Sequence, residues 1–454
     1  MPPPAEPVPS ISHDDARPSE GGARSSIPAP LWAVLAFAFL ASIGTGVVTN
    51  GIYFITRHAY GFGDAGNYLL GLVLGVTYIG GALATGPMLR RLGGDGGAGS
   101  RRVSTRAVLG ITLAVLGLLC AIPIACRGAQ GSWPIWLLIA LYSPLTGVVW
   151  PVVESYVSGG RRGPGLRSAI GRFNWTWSGA IVVAYVAVSP ALPDAAGGGA
   201  SEAEPHLRGA YVIAALGVLH LVTLAFLVPW PREPGRHLAE HHEPHPASWR
   251  RMLTTFRILL PASYIVLTVL LPYLPGAFER IGAPRDGHMA LAAVWLGARW
   301  VAFVMLERWH GWHGRWWPPV AGGILVLIGF GGAVLAPGAV WLGGGALAAM
   351  LAGLACFGVG MAVIYCGALY YAMEVGDAKV DAGGTHEALI GIGYTAGPAL
   401  GLLAVGAEYA GVIPTGWFEG VLVAVVALVA LVAAGIAAYR CWHDAGHARP
   451  PIGG

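Results

Sequence analysis

Few side chains in this chain are equipped for chemistry, and they stand out because so little else is polar: 11% of the 454 residues are charged and 55% are hydrophobic. Three carboxylates stand at the ends of apolar stretches: Glu154, Glu374 and Glu387. Each is a candidate proton carrier, although an acid that couples proton flow is better placed in mid-membrane than at an edge. His386 beside Glu387 is the one candidate acid–base dyad, because His58, His237, His241, His242, His245, His310, His313 and His443 fall in loops. A membrane-embedded enzyme acting on lipids needs His, Asp or Glu clustered at one depth, and one dyad matches that poorly. Arg299 lies inside an apolar stretch, where it snorkels, pairs with Glu307 two turns later, or binds an anionic group.

Uncharged polar residues deep in apolar segments are costly and tend to face a cavity. The cavity candidates are Asn50, Tyr53, Tyr78, Asn174, Trp177, Tyr264, Tyr365, Tyr394 and Thr395. For each alone, helix packing or hydrogen bonding is an equal alternative. A cavity lined by Tyr and Trp with amide partners suits an apolar, aromatic or sugar-like solute better than a multiply charged one. The five cysteines form no CxxC pair and read as small apolar fillers, with neither a disulfide framework nor a metal site. No cofactor motif is present. Lys379 is the only lysine and the net charge is +4, with no basic stripe of the kind that tracks phosphates, so nucleic acid is not expected as a partner.

These residues must be positioned by elements that suit a mean hydropathy of +0.62. A spanning helix needs about 20 mostly apolar residues. Twelve such stretches occur, at 31–55, 66–89, 106–125, 133–158, 168–189, 209–230, 254–275, 288–306, 318–336, 339–372, 385–408 and 416–439. The tenth is overlong and includes a turn near Pro337 and glycines 343–345. The expected class is therefore an all-α membrane protein. Residues 1–30, rich in Pro and Ser, read as a disordered tail with no signal peptide. The polar break at 231–253, which carries His237, His241, His242 and His245, splits the chain into halves at 31–230 and 254–440, followed by a tail at 441–454. This break reads as a solvated linker, with metal binding as the alternative. With the N-terminus inside, 21 of the 27 basic residues fall on the cytoplasmic side and 5 outside, which predicts that both termini are cytoplasmic.

The halves resemble one another weakly. Glu154 and Tyr156, then Asn174-Trp175-Thr176-Trp177, are answered by Tyr370, Tyr371 and Glu374, then Gly393-Tyr394-Thr395. The offset is six helices, as a parallel repeat of two six-helix bundles predicts. Small residues at Gly391, Gly393, Gly397 and Gly401 predict close backbone approach of the eleventh helix to a neighbour.

Six plus six helices, a central linker and Gly86-Pro87-Met88-Leu89-Arg90-Arg91-Leu92-Gly93 resemble the major facilitator superfamily. Its loop between helices 2 and 3 carries two glycines and basic residues in this pattern, but an acid where this chain has Arg90. Glu307-Arg308 after the eighth span keeps the acid–base pair of the second copy. The resemblance implies two pseudo-symmetric six-helix bundles that move a small solute by alternating access, with no enzymatic activity and no cofactor. It favours Asn50, Tyr53, Tyr264 and Tyr365 for the central cavity. It also implies a cytoplasmic gate of Gly86, Arg90, Arg91, Gly93, Glu154, Glu307, Arg308, Glu374 and Glu387. With the polarity exchanged, Arg90 is expected to pair with Glu387 and Arg91 with Glu154; simple solvation at the interface is the alternative. The expected setting is a monomer in a bacterial inner membrane, with a coupling proton or cation as a possible second partner. A non-transporting sensor or scaffold stays open as an alternative.

Overall fold

The structure is a computed structural model. It describes residues 27–93, 103–127, 131–161, 163–192, 203–235, 247–375 and 380–446. Among these, twelve long helices follow one another in the order α1 Leu31–Tyr60, α2 Asp64–Gly93, α3 Thr105–Leu119, α4 Trp133–Ser158, α5 Gly163–Val188, α6 Ala203–Thr223, α7 Ala247–Ile281, α8 His288–Arg308, α9 Trp317–Leu335, α10 Ala346–Val375, α11 Val380–Tyr409 and α12 Phe418–Gly446. Eleven are apolar enough to cross a membrane by composition. The exception is α5, which carries Arg167, Arg172, Asn174, Thr176 and Ser178. It packs between α1 and α8, which shelters Asn174, Thr176 and Ser178 from lipid, whereas Arg172 near its start is exposed.

Helical hydrogen bonding continues past the apolar stretches, so several helices outrun the expected spans. α7 begins at Ala247, so the linker expected to end at 253 is shorter. Residues 236–246, with all four linker histidines, lie outside the described residues, as do residues 1–26 of the expected tail. The C-terminal tail expected from 441 starts as the last turn of α12. The overlong tenth stretch breaks as expected, into 3-10 turns at Ala336–Gly338 and Val340–Gly345 before α10.

Twelve helices that alternate in direction bring both ends of the described chain to one end of the bundle, here called the terminal face; the other is the distal face. Arginines at the terminal face close helix ends. Arg161 donates to the carbonyls of Tyr156 (2.9 Å) and Val157 (2.8 Å) in the last turn of α4. Arg106 donates to the carbonyl of Trp230 (2.6 Å). Cations there meet the negative end of the helix dipole.

The two most extensive junctions between the first six helices and the last six are α2 against α11 and α5 against α8; α4 also meets α11. Small residues let the backbones approach, as membrane helices require in the absence of a hydrophobic drive. At Gly75 an added Cβ would lie 2.2 Å from the Tyr394 carbonyl oxygen, and at Gly397 it would lie 2.1 Å from Thr268 Oγ1 of α7. The close approach of α11 read from its glycines is thus present. Prolines inside helices leave carbonyls without partners. Pro151 frees the carbonyl of Gly147, and the Thr85 hydroxyl of α2 approaches it at 3.5 Å.

Adjacent glycines of α2 make a test of this packing. A Cβ on Gly81 would fall 1.9 Å from the Pro144 carbonyl oxygen of α4, whereas Gly80 has open space around it. Gly81→Ala is expected to cost about 1–3 kcal/mol and Gly80→Ala to be neutral, read as the difference in thermal unfolding of the purified protein in detergent.

Candidate functional site

A cavity of about 70 Å³ lies between the two halves. α1 lines it with Ser42, Thr45, Gly46, Thr49 and Asn50; α2 with Tyr78; α4 with Trp150 and Glu154; and α5 with Phe173, Trp177 and Ile181. The second half contributes Tyr264 from α7, Tyr365 from α10, and Glu387, Ile390 and Tyr394 from α11. The spacing of residues 42, 45, 46 and 49 keeps one face of α1 on the cavity. At Val47–Gly51 the helix widens into a π turn, an irregularity frequent at functional sites, and this turn carries Thr49 and Asn50.

The centre of the cavity is acidic. Glu154 and Glu387 are 3% and 4% exposed and come from opposite halves. A carboxyl oxygen of one lies within 4.8 Å of a carboxyl oxygen of the other. Two buried carboxyl groups that close are not both ionised, so the pair holds one proton. The Tyr78 hydroxyl donates to Glu387. His386 joins them: one ligand-capable atom from each of Glu154, His386 and Glu387 lies within 4.8 Å of the others. Glu154 Oε2 and His386 Nε2 have no hydrogen-bond partner.

Aromatic rings from both halves surround this centre. Tyr78 meets Tyr394 edge-on at 5.2 Å, and Trp177 meets Tyr365 at 5.4 Å. Tyr394 donates to Asn50 Oδ1 at 3.4 Å. Behind the rings sits Arg299, 3% exposed. Its guanidinium stacks over Trp177 at 4.5 Å and Tyr365 at 5.1 Å, and donates to the Tyr264 hydroxyl at 3.4 Å. A charged residue at a helix centre costs about 2.5–3.5 kcal/mol on insertion scales, while a desolvated cation–π contact returns about 2 kcal/mol. Two such faces therefore offset the cost without a carboxylate. Arg299 neither snorkels nor pairs with Glu307, which packs against Gly171 of α5.

Of the nine cavity candidates, Asn50, Tyr78, Trp177, Tyr264, Tyr365 and Tyr394 line the space. Tyr53 is buried away from it, near Gly71 of α2. Asn174 lies one turn below Trp177 and accepts its indole N–H at 3.3 Å. Thr395 donates to the carbonyl of Gly391 instead. The expected pairing of Arg90 with Glu387 and Arg91 with Glu154 is corrected: both carboxylates lie side by side in the cavity, while both arginines are exposed at the terminal face. Gly86 is buried in α2, Gly93 ends it and Arg308 is exposed at the end of α8. Glu374 is in the last turns of α10, and its side chain lies outside the described residues. Ser42, Thr45, Thr49, Trp150 and Phe173 were not anticipated. The small hydroxyls of α1 carried a readable signal in their spacing along one helix face.

At the distal face, a charge network bridges the halves. Arg57 of α1 reaches Glu279 of α7 at 2.5 Å and Asp64 of α2 at 3.3 Å. Arg280 of α7 reaches Asp64 at 3.6 Å and Glu419 of α12 at 3.4 Å, and Arg285 reaches Glu279 at 3.4 Å. These side chains are 22–38% exposed, so each pair is worth about 0.2–1 kcal/mol. Separately, an apolar groove of about 390 Å³ runs between α7, α9 and α12, lined mainly by residues such as Leu259, Val266, Ile324 and Ala434.

No family model matches the sequence, and no curated protein matches it in sequence. Solved structures do match in shape. A mutant of the nucleoside transporter NupG aligns with a TM-score of 0.59 over 90% of this chain and 98% of its own, at 11% identity. The proton:xylose symporter XylE aligns at 0.60 over 88% and 94%, at 15% identity. A bacterial homologue of the human lysosomal transporter Spinster, in an inward-facing conformation, aligns at 0.60 over 91% and 97%, also at 15% identity. Twelve helices in two six-helix halves around a shared polar cavity, superposable over nine-tenths of their length on these transporters, give this chain the fold of the major facilitator superfamily.

Proposed function

We propose that the chain is a secondary transporter that moves a small, uncharged, hydroxyl-bearing solute by alternating access of its two halves. The observation that carries this reading is the acidic cavity at the junction of the halves, closed to about 70 Å³. Sites that enclose small ligands hold roughly 300–1,000 Å³, so the halves must part to admit one. Trp150, Phe173 and Trp177 offer flat faces, and Asn50, the tyrosines and the carboxyl pair offer hydrogen bonds to hydroxyls. NupG, XylE and a fucose:proton symporter share the fold, so sugars and nucleosides are the first classes to test.

The proton between Glu154 and Glu387 is the candidate coupling ion. Losing it would set two like charges face to face across the halves and drive them apart at the terminal side. The distal network adds about 0.2–1 kcal/mol of bias per inter-half pair, which shifts populations without locking them. The arginine bias toward the terminal face supports cytoplasmic termini, and a bacterial inner membrane and a monomeric working unit belong to the same proposal.

Two measurements test this reading. A panel of pentoses, hexoses and nucleosides is screened for a rise in the unfolding temperature of the purified protein. At least one is expected to stabilise the parent, and to lose its effect in Trp177→Ala, because bound solute stabilises by mass action. A flat response across both classes would contradict the solute assignment. The latch is tested separately: Glu279→Gln is expected to speed labelling of a Thr45→Cys cavity thiol by an impermeant reagent applied from the distal side by about threefold or more. An unchanged rate would mean that the network does not hold the distal side closed.

A further inference from the structure

We propose that Glu154, Glu387 and His386 form a binding site for a divalent first-row transition-metal ion at the centre of the cavity. The three ligand-capable atoms lie within 4.8 Å of one another. Three ligands spread evenly around such an ion stand about 3.6 Å apart, given metal–oxygen and metal–nitrogen distances near 2.1 Å. The cluster therefore needs each side chain to move inward by about 0.7 Å at most.

Two observations beyond proximity point to a ligand. Glu154 Oε2 and His386 Nε2 are buried without a hydrogen-bond partner, on side chains each 3% exposed. Buried polar atoms are rarely left unpaired, because each costs the full desolvation of the group. Both groups carry a free lone pair suited to a cation. The orientation of the cluster is also supported from behind. The Tyr78 hydroxyl donates to Glu387, and the Tyr365 ring packs edge-on against His386 at 5.4 Å, the kind of outer support that metal ligands need.

The donor set selects the class of ion. One imidazole with two carboxylates suits zinc, iron, cobalt or manganese; calcium and magnesium prefer oxygen ligands alone. Charge also closes locally: two carboxylates neutralise one dication, and Arg299 is already accommodated by Trp177 and Tyr365. The ion would occupy the place of the proton shared by the carboxyl pair. Because Glu154 belongs to α4 and the other two ligands to α11, a bound ion would tie the halves together. This inference uses the geometry of the cavity and holds whether or not a solute crosses with the ion.

The test uses the full chain purified in detergent after chelation, with His237, His241, His242 and His245 replaced by Ala so that the linker cannot compete. Co2+ serves as the spectroscopic probe, and Zn2+ binding is followed by equilibrium dialysis. One Co2+ per chain is expected, with ligand-field absorption that Zn2+ abolishes and Mg2+ does not. Glu154→Gln, Glu387→Gln and His386→Ala are each expected to weaken Zn2+ binding by more than about tenfold. His386→Gln, close in volume, serves should the smaller residue unfold the protein, which the thermal melt reads. Absence of Co2+ binding by the linker-substituted chain, or equal Zn2+ affinity with and without His386, would overturn the site. Because binding is read without transport, its failure is separable from failure of the transport reading.

Discussion

The contact between Glu154 and Glu387 organises the centre of this molecule. The two carboxyl groups come from different halves, are buried almost completely, and lie side by side in a protein whose surroundings are hydrocarbon. Such a contact persists only with a proton or cation between the groups. It must also be screened from lipid, and the ring of Tyr78, Tyr264, Tyr365, Tyr394, Trp150 and Trp177 provides that screen. The aromatic side chains are thus both the wall of the cavity and the reason that charge is tolerated at this depth.

From this centre the two interfaces run outward in opposite directions. Toward the distal face, α1 and α2 meet α7 through the Arg57–Glu279 and Arg280–Asp64 bridges. Toward the terminal face, α2 with α11 and α5 with α8 stay together through small residues rather than charges, with Gly171 of α5 receiving the Glu307 side chain. One end is held by solvated ion pairs of modest strength and the other by packing and the central carboxyl contact. This asymmetry lets a change at the centre act on the terminal side, while the distal side responds to charge at the surface.

The fold was readable because lipid imposes a simple rule: backbone amides must bond within a helix, so apolar stretches of the right length declare themselves. Six of the nine candidate residues line the cavity for a related reason, since Asn50 or Tyr264 in an apolar span needs polar company. The failures have physical causes as well. Glu154 and Glu387 read as gate residues because they lie near the ends of apolar stretches; yet Glu154 sits a turn inside the end of α4, which stops at Ser158 as its stretch does, and α11 starts at Val380 rather than 385, so that both carboxylates line the cavity. Arg299 resisted interpretation because its partners are ring faces on α5 and α10, distant in sequence. The distal bridges were hidden because exposed charges near helix ends give no sign of what they face. α5 shows the limit of hydropathy: its Asn174, Thr176 and Ser178 are covered by protein, which composition does not register.

The most direct test of this account is the distance across the terminal face as a function of pH, measured between spin labels at Leu92 and Trp309, which are 41% and 55% exposed. The groups facing the carboxyl pair are Tyr78, Tyr264, Tyr365, Tyr394, His386 and Arg299, with Arg257 toward the terminal side of α7. In the parent protein, raising pH is expected to shift the distribution toward longer distances as the shared proton is lost. In the Glu154→Gln, Glu387→Gln double variant, where no charge develops, the distribution is expected to stay short. An identical pH response in the two proteins, or none in the parent, would contradict the claim that the carboxyl contact holds the halves together.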